Sequence, residues 1–114
     1  MLLTKVFTFD SAHFLPNYHG KCENMHGHTY KLEVTIEGEP NKEDGMIYDF
    51  AQLKELVNKK VVDKLDHTNL NDTIKNPSAE FIAMWIWDQL KNDLNLKQIK
   101  VFESSNSYVT YEGN

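Results

Sequence analysis

The sequence predicts one α+β domain over residues 1–114, a four-stranded antiparallel sheet with two helices packed on one face. Three observations predict it. Apolar and polar residues alternate with a two-residue period from His28 to Glu37, the mark of a half-buried antiparallel strand. Two stretches with helical apolar spacing, near 51–65 and 76–94, stand together in the middle of the chain. Runs that suit strands lie on either side of them, so the order is strand, strand, helix, helix, strand, strand. Helices grouped between antiparallel strands make a two-layer sandwich.

Each element has a local cause. Thr4 to Phe14 is rich in Val, Thr and Phe, and Phe7, Phe9, Ser11 and His13 share one face. A polar turn, Pro16 to Lys21, leads to Cys22 and a His-Gly-His element. In the second strand Tyr30, Leu32, Val34 and Ile36 point one way, and Thr29, Lys31, Glu33, Thr35 and Glu37 the other. Gly38 to Gly45 is a charged turn, and Met46 to Phe50 an extended lead-in. The first helix, Ala51 to Leu65, carries Leu53, Leu56, Val57 and Val61 on one stripe. A polar loop, Asp66 to Lys75, precedes the second helix, with Asn76 as cap and Pro77 at the first helical position. That helix runs to about Leu94 and is expected to bury Phe81, Trp85, Ile82, Ile86 and Leu90. Strands near Ile99–Ser104 and Ser107–Tyr111 meet at a tight Ser105-Asn106 turn.

Composition excludes several functions. With 12 Lys+Arg against 17 Asp+Glu the net charge is -5, which disfavours nucleic acid or an anionic membrane as partner. Every cationic side chain is Lys, so an anion site must use Lys, His or backbone N–H in place of a guanidinium fork. Hydrophobic residues make up 40% and charged residues 25%, which supports a folded core. No apolar run approaches the ~20 residues of a membrane span. The N-terminus enters a strand pattern directly, and one cysteine forms no intrachain disulfide; the expected compartment is the cytoplasm.

Four of the five histidines fall between His13 and His28. His26 and His28 leave the same face of a strand, in phase with its apolar residues, and His13 is in phase with Phe7 and Phe9. If the two strands pair antiparallel, the end of the first lies beside the start of the second and three imidazoles converge. Such a set suits a catalytic zinc site with an open fourth position. A His-x-His pair without function is the plainer alternative. Cys22 lies beside this element, next to Lys21, where cations favour thiolate; a free Cys is otherwise a small buried hydrophobe. Asp66-His67 ends the first helix, as a carboxylate–imidazole pair or as a simple dipole-stabilised cap. Glu103 shares phase with Ile99 and Val101, so its carboxylate faces an apolar side. There it either receives two N–H donors in a row or has reached solvent at the strand end. His19 is read as a loop histidine.

The ordered blocks Phe9–His13, Gly20–His28, Asp49-Phe50, Leu65–Asp72, Asn76–Glu80 and Val101–Ser104 resemble the 6-pyruvoyltetrahydropterin synthase superfamily across essentially the whole chain. The three residues between Cys22 and His26 are most similar to its carboxy-forming branch, which acts in queuosine biosynthesis. The resemblance implies the tunnelling fold (T-fold), with subunits closing into a β-barrel, commonly a hexamer with active sites between subunits. It implies zinc on His13, His26 and His28, Cys22 as catalytic thiol, Asp66 and His67 as acid–base pair, and Glu103 gripping a pterin. The implied substrate is 7,8-dihydroneopterin triphosphate, converted to 6-carboxy-5,6,7,8-tetrahydropterin with release of acetaldehyde and triphosphate. Lys21 is the lysine expected to meet the triphosphate. Triphosphate elimination alone, giving a pyruvoyl pterin, is the alternative within the superfamily; a non-catalytic pterin- or purine-binding domain is the alternative outside it. A third group, an aldolase with Glu at the cysteine position, is disfavoured by Cys22.

Overall fold

A computed structural model describes residues 1–16 and 18–113; the side chain of Lys21 lies outside the described residues. The first two strands, β1 (Leu2–His13) and β2 (His26–Glu37), are each 12 residues long and pair antiparallel along their whole length. At ~3.4 Å per residue each spans about 40 Å. They set the long axis of a molecule measuring 54 × 25 × 25 Å. Because the pairing runs to the strand ends, His13 lies opposite His26 and Ser11 opposite His28.

The alternation read from the sequence is realised. Phe7, Phe9, Tyr30, Leu32, Val34 and Ile36 are all buried, with Ser11 and His13 on the same face. Full burial of each such aliphatic or aromatic side chain contributes about 1.5–3 kcal/mol. The helices cover this face. Helical structure runs over residues 50–65 as α1 (Phe50–Val57), a π-helical turn (Asn58–Val62) and α2 (Asp63–Leu65). Asp49 caps its start, its carboxylate accepting from Ala51 N–H and Gln52 N–H. Leu53, Val57, Val61 and Leu65 are all fully buried, a strict four-residue spacing. At 3.6 residues per turn that spacing drifts by about 40° per step, and the wider π turn takes up the drift.

The polar loop after α2 holds more structure than its composition indicates. Thr68–Asn69 forms β3, a strand of 2 residues parallel to β1 through Ser11 and Ala12. The sheet therefore has five strands, in the order β3-β1-β2-β4-β5, against the four expected. Two residues joined by parallel pairing leave no periodicity to read. Leu70 and Ile74 in the same stretch are buried.

The second long helix, α3 (Ala79–Leu90), begins later than expected. Ser78 is its cap, accepting from Phe81 N–H at 3.2 Å, while Asn76 adopts a left-handed φ of 52°. α3 buries Ile82, Ala83, Ile86 and Leu90. Phe81 is 44% exposed and Trp85 is half-buried, because the inward stripe is centred on Ile82 and Ile86. The chain closes with β4 (Leu96–Ser104) and β5 (Ser107–Tyr111) around the expected turn. Among the described residues no helix is long and apolar enough to cross a membrane. The second sheet face carries Val6, Thr8, Asp10 and Thr29, all exposed, with Lys31 half-buried among them.

Candidate functional site

The paired ends of β1 and β2 bring His13, His26 and His28 together, with one ligand nitrogen from each ring within 4.8 Å of the others. His13 is 1% exposed, and the other two are half-buried. His13 Nδ1 lies 2.7 Å from the carbonyl of Pro77, and His26 Nδ1 lies 2.7 Å from the carbonyl of Asn24. A carbonyl only accepts, so both Nδ1 atoms carry the proton and both Nε2 atoms present lone pairs. Those two Nε2 atoms stand 3.0 Å apart. Two lone pairs facing at that distance repel unless a cation or proton lies between them.

His28 completes the set. Its Nε2 is buried and has no hydrogen-bond partner among the described residues. Burial holds its pKa below the ordinary histidine value, Glu103 opposes this, and His13 and His26 add to the lowering. A neutral imidazole with a buried ring nitrogen that no described protein group occupies is what a metal requires. Tetrahedral zinc with N ligands at ~2.0–2.1 Å separates them by about 3.3 Å. The donor set and its orphaned nitrogen thus fit a borderline metal such as zinc. The carbonyls that orient His13 and His26 were illegible in the sequence, since every residue has one.

Glu103, near the end of β4, faces this cluster. Its Oε1 is 3.5 Å from His28 Nε2, an ion-pair distance without a hydrogen bond, and its side chain is 32% exposed. The expectation that it points to the apolar face holds, for Ile99 and Val101 on that face are fully buried.

Asp66 and His67 also face one another. Asp66 ends the helical run in extended conformation, and His67 takes a left-handed φ of 57°, which swings its ring back. His67 Nδ1 then lies 3.0 Å from Asp66 Oδ2. The strained turn is pinned to β1, because Asp10 N–H donates to Asp66 Oδ1 at 2.9 Å and His67 N–H donates to Asp10 O at 2.6 Å. The Asp66 carboxyl is held below its ordinary pKa, first by the Asp10 backbone N–H and then by His67. The Ser11 hydroxyl and the Thr68 hydroxyl both donate to Leu65 O, which ties the turn to the sheet. An open concavity of about 540 Å³ over the ends of β1 and β2 is lined by both His28 and His67.

Cys22 occupies a 3-10 turn, Lys21–Glu23, and is half-buried. Its carbonyl accepts from Leu15 N–H at 2.7 Å, which returns the loop to the end of β1. The thiol stands outside the three-imidazole cluster. The Lys21 side chain lies outside the described residues, so its expected anion contact has no geometry here. His19 is a surface residue beside Glu23 at 3.4 Å, as expected of a loop histidine.

Known proteins share this sequence pattern and this fold. The sequence model described as 6-pyruvoyl tetrahydropterin synthase matches residues 2–114. A 6-pyruvoyl tetrahydrobiopterin synthase of Dictyostelium discoideum is 36% identical over 99% of this chain and 96% of its own. A 6-carboxy-5,6,7,8-tetrahydropterin synthase of Haemophilus influenzae is 34% identical over 96% of this chain and 97% of its own. The structure of Caenorhabditis elegans 6-pyruvoyl tetrahydropterin synthase superposes with a TM-score of 0.91 at 28% identity, covering 100% of this chain and 96% of that one.

Proposed function

We propose a reaction from one premise: the chain belongs to the 6-pyruvoyl tetrahydropterin synthase family. The protein is a zinc-dependent lyase that converts 7,8-dihydroneopterin triphosphate to 6-carboxy-5,6,7,8-tetrahydropterin, releasing acetaldehyde and triphosphate, for queuosine formation. The observation that carries this reading is the three-imidazole cluster with Glu103 at 3.5 Å from one of its nitrogens. A metal centre and a carboxylate side by side suit a substrate with a reactive side chain on a ring that offers adjacent N–H donors.

His13, His26 and His28 hold the zinc, which when bound supplies Lewis acidity for a side-chain hydroxyl or carbonyl. Glu103 receives two N–H donors from the amino-pyrimidinone edge and so orients the ring. Asp66 keeps the His67 proton on Nδ1, which leaves Nε2 to take up and return protons at the side-chain carbons. Cys22 is the second proton-transfer group, and Lys21 meets the triphosphate. No redox cofactor is required, because the ring is reduced at the expense of its own side chain. The His67 side chain is 78% exposed and the sheet leaves edges at β3 and β5, which suits a site completed between subunits. We assign a homo-oligomer whose sheets join edge to edge into a barrel, as a hexamer, working in the cytoplasm.

The pyruvoyl-forming reaction is the second reading, supported by the similarity to the Dictyostelium enzyme. Incubating zinc-loaded protein with 7,8-dihydroneopterin triphosphate separates the two by mass spectrometry. Acetaldehyde with a carboxypterin supports the first, and a pyruvoyl pterin supports the second. Unchanged substrate, or turnover that survives removal of the metal, overturns both. Cys22→Ala is expected to keep zinc and lose turnover, which a non-catalytic binding domain does not predict.

A further inference from the structure

Tyr30 is fully buried, yet its hydroxyl has no hydrogen-bond partner among the described residues. Its ring is held on several sides, stacked on Phe9 at 5.1 Å and edge-on to His28 at 5.5 Å and His13 at 6.0 Å. A buried hydroxyl left unpaired forfeits its hydration without compensation, so its retention needs a reason. The strand register identifies a candidate partner. Lys31 pairs with Phe102 and Leu32 with Val101. Continued one step past the last paired residues, this register would set Tyr30 opposite Glu103, which shares the inward phase of Ile99 and Val101. Glu103 in turn accepts no hydrogen bond among the described residues, and His28 Nε2 lies 3.5 Å from its Oε1 without forming one. A carboxylate without donors and a buried donor without an acceptor therefore sit on adjacent strands at one level.

We infer that Tyr30 is a positioning residue: its O–H donates to the Glu103 carboxylate and aims that carboxylate at the N–H donors of a bound amino-pyrimidinone ring. The inference rests on the reading of Glu103 given above. Rotation of the Glu103 side chain away from His28 Nε2, with which it forms no hydrogen bond, makes the bond to the phenol. An ionised carboxylate offers about four lone-pair positions, enough for two ligand donors and one phenol. The bond also holds the carboxylate away from the metal position, so that it serves the ring and does not become a fourth ligand.

Tyr30→Phe deletes the hydroxyl and keeps the ring volume, and Glu103→Gln serves as its reference. Binding of an unphosphorylated pterin and of its analogue with oxygen in place of the ring amino group is measured by calorimetry, with zinc content determined for each protein. The expected result is about tenfold weaker pterin binding in Tyr30→Phe, the factor appropriate to one hydrogen bond to a charged group. KM should rise by a similar factor with kcat little changed, and the oxygen analogue should lose less. Zinc content should equal that of the wild type. Wild-type pterin affinity in Tyr30→Phe, with affinity lost in Glu103→Gln, overturns the inference and leaves the role of Glu103 standing. Wild-type affinity in both variants removes the role of Glu103 as well. Loss of zinc in Tyr30→Phe places the effect at the metal centre and also overturns the inference.

Discussion

The Nε2 atoms of His13 and His26 face each other at 3.0 Å while both Nδ1 atoms are occupied by backbone carbonyls. The two rings have no freedom to turn their lone pairs apart without losing those bonds. The pair is thus preorganised for a cation, and His28 brings a third nitrogen with no hydrogen-bond partner among the described residues.

Removing that third nitrogen should be severe. His28→Ala is expected to weaken zinc binding by more than the 10–100-fold typical of losing an outer-shell partner. Metal analysis after dialysis checks this. Full stoichiometric zinc in the variant contradicts the assignment.

Metal removal should also cost stability, since His13, His26 and His28 come from β1 and β2 and an ion held by all three would cross-link the strands. At free zinc ~1,000 times Kd the bound ion adds about 4 kcal/mol. Thermal unfolding with and without a chelator measures it, and identical Tm values contradict it.

The Asp66 interactions predict a pH dependence with a definite sign. Its folded pKa is depressed, chiefly by the Asp10 N–H and next by His67. The associated stability is therefore fully present above the unfolded-state value of about 3.9 and is lost as pH falls through the lower folded value. The stability difference between wild type and Asp66→Asn should be level between pH 7 and about pH 5 and shrink below about pH 4. Chemical denaturation across that range tests it. A difference that widens on acidification contradicts it.

Helix α3 offers a test of its own start. Ser78 makes the capping bond, so Ser78→Ala should cost about 1 kcal/mol. Asn76 sits at a φ of 52°, where glycine carries no steric penalty, so Asn76→Gly should be near neutral. Urea unfolding of both variants gives the comparison. A larger loss in Asn76→Gly restores Asn76 as the cap.

Much of the candidate site is legible in the sequence, for a local reason. Side-chain direction along a strand repeats every two residues, so the inward faces of His13, His28, Tyr30 and Glu103 followed from their phase with neighbouring apolar residues. The convergence of three imidazoles then needed one further step, antiparallel pairing of the first two strands, which the register of His13 against His26 satisfies. Asn76-Pro77 carries the local marks of a helix start while Ser78 makes the capping bond, and Phe81 is exposed because the buried stripe of α3 is centred on Ile82 and Ile86.

What the chain determined unaided was therefore its periodicity: the strand and helix classes, their order, and which chemical groups share a face. Only the tertiary structure decided which groups touch. Asp10 holding Asp66, Pro77 holding His13 and β3 pairing with β1 all join residues more than fifty positions apart. The Asp66–His67 pair itself depends on one residue entering a left-handed conformation. Such contacts run largely through backbone N–H and C=O groups, which are the same at nearly every position and so leave no trace in residue type.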